Sequence, residues 1–519
     1  MGQTKAFFIT LVLLASLAFL DTEASCQLPE GEMLEEPRLA HSDVLSPYDT
    51  AYDLLAKLAG SGMLEGYSGR LFNSGTVYTR QQVASLLAMA LHPEATERAA
   101  RRSKTLVSLS GDEGNLLLWR LATQFGDELR ADEPIPTKHE QLSTERFTSS
   151  AFRIRPVVSL SLNADGSMIR HQGSVSVLSR LDRKTSMHIR LSTMRQTVLP
   201  ESFDRPLLDI AFISTELFGG RLDVGRKYER FGPAYLGGGV LSDGAYPFET
   251  ITWSGRLKLP FMEWVRVRQV LGYLHGDEHG RRFLLARRWE KTFGSFVIGA
   301  NEVQISKPFP APPSFVLPLY PASRLLVRMG RSENSDEIFV SADVAWVDRD
   351  GKRVYLEWIV DDVRLAKPAE RQMGCIVGAQ LPFDPVRKRA GLIFEYAQFD
   401  ENTFTHANPK LNYQYRGEAL GYPTGPNSRV IFGRLDLPIS KRTHITLLGA
   451  AAQHGRETSP DWEPYFAVQL FHDINPSFSI GVHYTRGMPP RCGKPIHAGA
   501  WCDMKERAEY ISFEVNMIM

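Results

Sequence analysis

Two stretches carry the residue types of an active centre. His275-Gly276-Asp277-Glu278-His279 fits H-x-x-E-H, a zinc-peptidase pattern. That chemistry needs both histidines one turn apart on a helix. Here glycines flank the motif, and VRVRQVLGYLHGDEHGRRFLLARR reads as two strands with their turn at HGDEHG, so a solvated turn is expected. The second stretch, RVYLEWIVDDV, carries Glu357, Asp361 and Asp362, acids of the kind that cleave glycosidic bonds. On a strand Asp361 and Asp362 point to opposite faces, while Glu357 and Asp361 share a face about 13 Å apart. That is too far for either glycosidase geometry. Cys492 and Cys502 bracket the loop CGKPIHAGAWC. In an exported chain such a pair reads as a disulfide, and His497 between them lacks the fourth partner a metal would want. No enzyme, metal or cofactor is expected.

A binding chemistry is better represented. Gly225 to Ile251, GRKYERFGPAYLGGGVLSDGAYPFETI, follows the alternating run GGRLDVGRK, in which Leu222 and Val224 face one way and Arg221 and Asp223 the other. It then passes through glycines and aromatics and re-enters an extended run, TITWSGRLKLP. Rings of Tyr228, Tyr235 and Tyr246 beside Arg226 and Arg230, with Asp243 among them, suit a sugar chain, and the cations favour an acidic one. A long ordered loop that packs against itself fits the same residues, and both readings stay open.

The elements that must position these residues follow from composition and periodicity. Lys and Arg total 60 against 59 Asp and Glu, so the basic excess of a nucleic-acid binder is missing. Lys5 precedes an apolar run from Ala6 to Leu20, placed like the core of a signal peptide, with cleavage after Ala24. Cys26 would be a lipidation site, but Glu23 occupies the place where a lipobox wants leucine. No later stretch offers about 18 consecutive apolar residues, which excludes a helical membrane protein.

From Pro47 to Pro93 the period is helical: Ala51, Leu54, Leu55 and Leu58 on one face, then Val83, Leu86, Leu87, Ala90 and Leu91 after a Thr79 cap with Gln82 at the capping-box position. Gly62, Gly66, Tyr67, Gly69, Phe72, Thr79, Arg80 and Gln82 between and within these helices resemble the S-layer homology module, in a single copy. Helical, charged text continues to residue 146, and DEPIPTKHEQLSTE reads as a linker.

After about Phe152 short alternating runs take over. Val158, Leu160 and Leu162 alternate with Ser159, Ser161 and Asn163; Ile338, Val340, Ala342 and Val344 with Glu337, Ser341 and Asp343; Phe478, Ile480, Val482 and Tyr484 with Ser479, Gly481, His483 and Thr485. Asp350-Gly351 is a hairpin cue. At about 20 residues per strand and turn, the region holds about eighteen strands, and the final segment AEYISFEVNMIM reads as a closing strand. Charges on a lipid face cost about 2–4 kcal/mol near the midplane. Most of the cations from Arg266 to Lys291 are therefore expected in the lumen, at the rim or in turns. A lumen network of Glu302, Glu357, Asp361, Arg266 and Arg268 would make the barrel filled more than open.

Four stretches together resemble the Wzi-type capsule-assembly family of outer-membrane proteins. They are Gly225, Arg226, Tyr228, Gly232, Pro233, Leu241, Ser242, Asp243, Ala245, Pro247 and Phe248; Gly299, Asn301 and Glu302; the strand ending in Asp361 and Asp362; and Gly417, Leu420, Gly421, Gly425, Pro426 and Ser428. Tyr422 stands where histidine is common, Asn427 where aspartate is, and Met519 where outer-membrane barrels end in an aromatic. The resemblance implies an eighteen-stranded barrel that binds capsular polysaccharide without catalysis.

The expectations are these. Residues 1–24 form a signal peptide, 40–146 a periplasmic helical segment and 152–519 a mainly β, transmembrane antiparallel barrel of about eighteen strands in the cell outer membrane. It would bind and anchor capsular or exopolysaccharide through Arg226, Tyr228, Arg230, Tyr235, Asp243 and Tyr246. Its partners would be polysaccharide, outer-membrane lipid and, through the helices, peptidoglycan, with no nucleic acid. The alternative is a porin tethered to the cell wall by the S-layer-like helices.

Overall fold

In the computed structural model the described residues are 50–60, 63–64, 67, 78, 80–91, 157–162, 169–181, 185–196, 208–259, 263–275, 280–306, 336–348, 352–361, 372–382, 390–405, 411–440, 442–454, 462–475, 478–487 and 509–517. The leader, Cys26, the 95–146 segment, His279, Asp362 and the expected Cys492–Cys502 pair lie outside them.

Two helices come first, α1 (Thr50–Gly60) and α2 (Arg80–Leu91). The helical stripe read from sequence is the buried one: Ala51, Leu54, Leu55 and Leu58 pack with Val83, Leu86, Leu87 and Ala90. The Leu58 carbonyl accepts from the Met63 amide at the end of α1, and the Tyr52 hydroxyl accepts from the Tyr78 amide just before α2.

The strands follow in order: β1 (Val157–Leu162), β2 (Ile169–Arg180), β3 (Thr185–Gln196), β4 (Leu208–Leu217), β5 (Gly220–Lys227), β6 (Phe248–Leu259), β7 (Glu263–Leu274), β8 (Arg282–Phe293), β9 (Phe296–Ser306) and β10 (Asp336–Val347). Then come β11 (Arg353–Asp361), β12 (Met373–Pro382), β13 (Gly391–Phe399), the short β14 (Gln414–Tyr415) and β15 (Glu418–Ala419), β16 (Ser428–Pro438), β17 (Thr443–His454), β18 (Glu463–Asn475), β19 (Phe478–Gly487) and β20 (Glu509–Met517). All but β14 and β15 form one 18-stranded antiparallel sheet in which each strand pairs with the next. The last strand, β20, lies beside the first, β1, so the sheet closes on itself. Closure removes the edges that an open sheet would expose.

Side-chain parity shows what lies on either side of the wall. On β19, Ser479, Gly481, His483 and Thr485 are buried, and Ile480 and Val482 are exposed. On β11, Arg353, Tyr355, Glu357, Ile359 and Asp361 are buried and point inward, while Val354 and Leu356 face out. An apolar outside around a polar-lined inside is the build of an outer-membrane barrel. Phe218, Phe293 and Phe296, all exposed at short turns, form part of an aromatic girdle. The connections are lopsided: residues 218–219 and 294–295 turn tightly at one end, whereas the long segments that follow β5 and β13 leave from the other. In such barrels the short turns face the periplasm and the long loops the exterior.

One expectation about the wall is corrected. Glu302 does not join the lumen network. Asn301 points inward beside Arg288, so its neighbour Glu302 points outward, where it pairs with Arg287 across the strands at 2.9 Å. A charged pair on the outer wall survives because protein covers it. Arg287 and Glu302 are only 3% and 8% exposed, against 44% for Val224 and 45% for Ile213 elsewhere on the outer face. Gln269 and Gln304 flank the pair and are also buried.

Candidate functional site

The outer end of the barrel is closed by two of its own loops. Residues 228–247, between β5 and β6, fold into the lumen, and Phe231 pairs with Leu241 (Phe231 N to Leu241 O, 2.9 Å) to make a loop within the loop. Residues 400–427, between β13 and β16, carry the β14–β15 hairpin and lie against the first loop. Ser242 N donates to Leu420 O at 2.7 Å, Tyr422 N to Gly239 O at 3.2 Å, and the Tyr413 hydroxyl to Val240 O. The rings of Phe404, Tyr413 and Tyr422 pack with Phe339 and Phe399 of the wall into a continuous buried core. The lumen is thus neither a water-filled channel at this level nor purely polar. It holds the kind of apolar core usually found between layers.

Wall carboxylates hold the loops by their backbones. Glu395, on β13, accepts from the amides of Tyr235 and Leu236 and from the hydroxyls of Tyr355 and Tyr422. Glu357 accepts from Gly239 N at 3.3 Å and Ser341 Oγ at 3.0 Å, and Asp361 from Phe404 N at 2.7 Å. Arg282 works in the opposite sense, donating to the carbonyls of Asn412 and Gln414 at 2.9 and 2.6 Å. The Arg282 bonds are charge-assisted and roughly twice as strong as neutral ones, and the carboxylates fix how close the loop backbones come. They also explain the glycines: a Cβ at Gly239 would lie 2.5 Å from Glu357 Oε1, and one at Gly232 (φ +100°) 2.5 Å from Oε2. The glycine-rich stretch lets backbone approach a carboxylate.

The expected lumen network therefore has different partners from those anticipated. Glu357 and Asp361 do face inward on one strand face, but the hydrogen bonds of their carboxylates to the loops run to backbone amides, where arginines were expected. Arg268 does pair in the lumen, with Glu229 at the base of the first loop, and Lys227 joins them 3.0 Å from Glu229. Burial works against ionisation of Glu229, but Arg268, Lys227 and a hydrogen bond from Thr252 outweigh it and hold its carboxyl below the usual carboxylate range. Arg266 lies inward on β7 opposite Glu290. A separate lumen knot ties Arg288 to Asp343 (2.6 Å), Glu290 (2.8 Å) and Asn301 (2.9 Å).

The six residues expected to bind sugar divide into two sets. Arg230, Tyr235 and Asp243 are buried parts of the plug. Arg230 donates to the carbonyls of Ala234 and Tyr235 and lies 3.6 Å from Asp243. Tyr235 stacks on Phe432 at 5.6 Å, and its hydroxyl accepts from Arg434. Its ring is a plug contact and not an open platform. Arg226, Tyr228 and Tyr246 are only partly buried. Arg226 points to the outer face of the wall and pairs with Glu249, which also meets His275 at 3.0 Å, and Tyr228 donates to Asp209. His275 stacks on Tyr273 at 4.9 Å, at the end of a strand. The zinc pattern's first histidine lies just past the end of β7, where the chain leaves the strand, and residues 276–279 lie outside the described residues.

Sequence reasoning missed Glu395 and Tyr355, and it did not foresee that Arg282 and Tyr422 tie the second loop to the wall. One signal was available for Glu395: in GLIFEYAQF its face-mates are Ile393, Ala397 and Phe399, and a carboxylate in that company must find donors.

No family model matches the sequence, and no curated protein sequence does. Solved structures do match in shape. Wzi of Escherichia coli, an outer-membrane protein involved in group 1 capsule assembly and described as a carbohydrate-binding β-barrel, superposes with a TM-score of 0.53 at 11% identity, over 92% of this chain and 99% of that one. OccK5 of Pseudomonas aeruginosa gives 0.40 at 8% identity (71% and 97% covered), and OmpT of Vibrio cholerae 0.32 at 9% (72% and 99% covered). The Wzi likeness extends over nearly the full length of both chains, and at that identity what the two share is the fold of an outer-membrane β-barrel.

Proposed function

We propose that the protein is a non-enzymatic outer-membrane barrel that binds and anchors capsular or extracellular polysaccharide at the cell surface, in capsule assembly. The observation that carries this reading is the plug: two surface-side loops fill the mouth and are bonded to the wall through Glu357, Asp361, Glu395 and Arg282. A barrel stoppered by its own loops is suited to presenting a surface, and poorly suited to diffusion. Arg230, Tyr235 and Asp243 act in it as positioning residues. The partly exposed Tyr228 and Tyr246 supply rings at the rim, where an extended sugar chain would lie, while Arg226 is held there by Glu249. The capsule role of Wzi, the similar structure, supports the same reading.

The test is deletion of the gene, followed by measurement of cell-attached and released polysaccharide. Release into the medium is expected, and unchanged retention would count against the proposal. Planar-bilayer recordings separate it from the wall-tethered porin: the plugged barrel should give little steady conductance, whereas a porin would give a large one.

A further inference from the structure

At the outer mouth one cation stands apart. Arg416 and Gly417 form the tip of the β14–β15 hairpin, between Tyr415 and Glu418. Both have positive φ, +52° and +80°, the combination of a two-residue turn that favours Asn-Gly. A long, branched-head side chain at the first of these positions is locally unfavourable. Its guanidinium lies over two rings, Tyr415 at 5.3 Å and Tyr246 at 6.0 Å. Among the described residues no carboxylate forms an ion pair with it, and its buried Nε has no hydrogen-bond partner. Most other arginines of the mouth are spoken for: Arg226 by Glu249, Arg230 by Asp243 and the loop carbonyls, Arg282 by Asn412 and Gln414. The hairpin is also held in place. Arg282 grips the Asn412 and Gln414 carbonyls, the Tyr415 hydroxyl donates to His275 O at 3.2 Å, and the Tyr415 ring meets Phe248 edge-on at 6.1 Å.

Resting on the polysaccharide-binding reading, we infer that Arg416 is the anion-reading residue of the mouth, taking the carboxylate of an acidic sugar while Tyr246 and Tyr415 hold its guanidinium flat. A planar fork backed by two aromatic faces presents its donors in one orientation, which suits bidentate capture of a carboxylate. Contact with two rings restricts the guanidinium and lowers the ordering cost of binding.

The experiment compares full-length protein in detergent with its R416N and R416K variants, using polygalacturonate as the acidic probe and dextran as the neutral one. R416N suits the turn at least as well as arginine does, so heat-modifiable gel migration should be unchanged. Its affinity for polygalacturonate should fall about tenfold or more, the range for losing one charge-assisted contact, with dextran binding unmoved. R416K should keep part of the affinity, because it retains the charge and loses the fork. Equal polygalacturonate binding by wild type and R416N, or a wild-type protein that binds dextran alone, overturns the assignment of Arg416 and leaves the polysaccharide reading standing. A wild-type protein that binds neither glycan overturns both.

Discussion

Glu395→Ala removes the acceptor on which the plug most depends. The buried carboxylate takes four hydrogen bonds, two from the loop amides of Tyr235 and Leu236 and two from the phenols of Tyr355 and Tyr422. Hydrogen bonds to a charged group contribute about 1.5–3 kcal/mol each. A simple sum overshoots, because water enters the space left by the side chain and the four donors share one site. Breaking a buried charged set by removing one member costs about 3–5 kcal/mol, a fair bound for the whole clamp. At 1.4 kcal/mol per decade, the equilibrium between seated and released loop shifts by a factor on the order of 10²–10⁴. The assay is single-channel conductance in planar bilayers, read beside thermal unfolding. E395A should conduct intermittently or steadily where wild type is nearly silent. E395Q, which keeps the shape and swaps one acceptor for a donor facing amides, should lie between them. If E395A assembled normally, stayed silent and unfolded at the wild-type temperature, the wall carboxylates would not be what seats the plug.

Arg288→Ala strands Asp343, whose side chain is fully buried, and should lower stability by about 3–5 kcal/mol, seen as a lower midpoint in urea unfolding from detergent. On the outer wall, Glu302→Ala leaves Arg287 buried without its cross-strand carboxylate and should cost a similar amount, whereas the double change R287L/E302L should recover most of it by thermal melting. Acid should loosen the base of the first loop. Glu229 has a folded pKa below its ordinary value, so its contribution is complete above the normal carboxylate range and is lost as pH falls through and below it. Conductance rising as pH falls below about 4.5 in wild type, and already raised at neutral pH in E229Q, is the expected pair of results.

The barrel itself was legible in the sequence because a period of two is a local property. The alternation of Phe478, Ile480 and Val482 with Ser479, Gly481 and His483, or of Val340, Ala342 and Val344 with Ser341 and Asp343, maps directly onto outside and inside. The hairpin at HGDEHG followed from the same rule. What parity cannot reveal is the partner across the lumen. Parity puts Glu357 and Asp361 on the correct face, but the loop amides they hold are invisible to it, because those come from positions 118 and 43 residues away. Glu302 was misplaced by a different route. Its charge suggested the lumen, while its register with Arg287 and the cover over that patch are tertiary facts. Tyr235 was read as a surface ring because loops usually lie on surfaces, whereas this one is threaded into the barrel.

The glycines of the first loop link fold to function. Backbone can come within hydrogen-bond reach of Glu357 only where no Cβ intervenes, as at Gly232 and Gly239, and Gly238 is closed in by the carbonyls of Phe231 and Leu241. Recognition between wall and plug therefore runs through main-chain dipoles and demands few side chains of its own. The aromatic and cationic side chains of the two loops then split by position. Those facing the wall, such as Tyr235, Tyr413 and Tyr422, build the core. Those left at the mouth, Tyr246 with Arg416 across it, are held by that core against a rigid base. A ligand that meets residues already fixed forfeits little ordering entropy. The plug and the binding surface are on this view one construction, so loosening Glu395 should weaken glycan capture as well as open the pore, even though the carboxylate itself is fully buried.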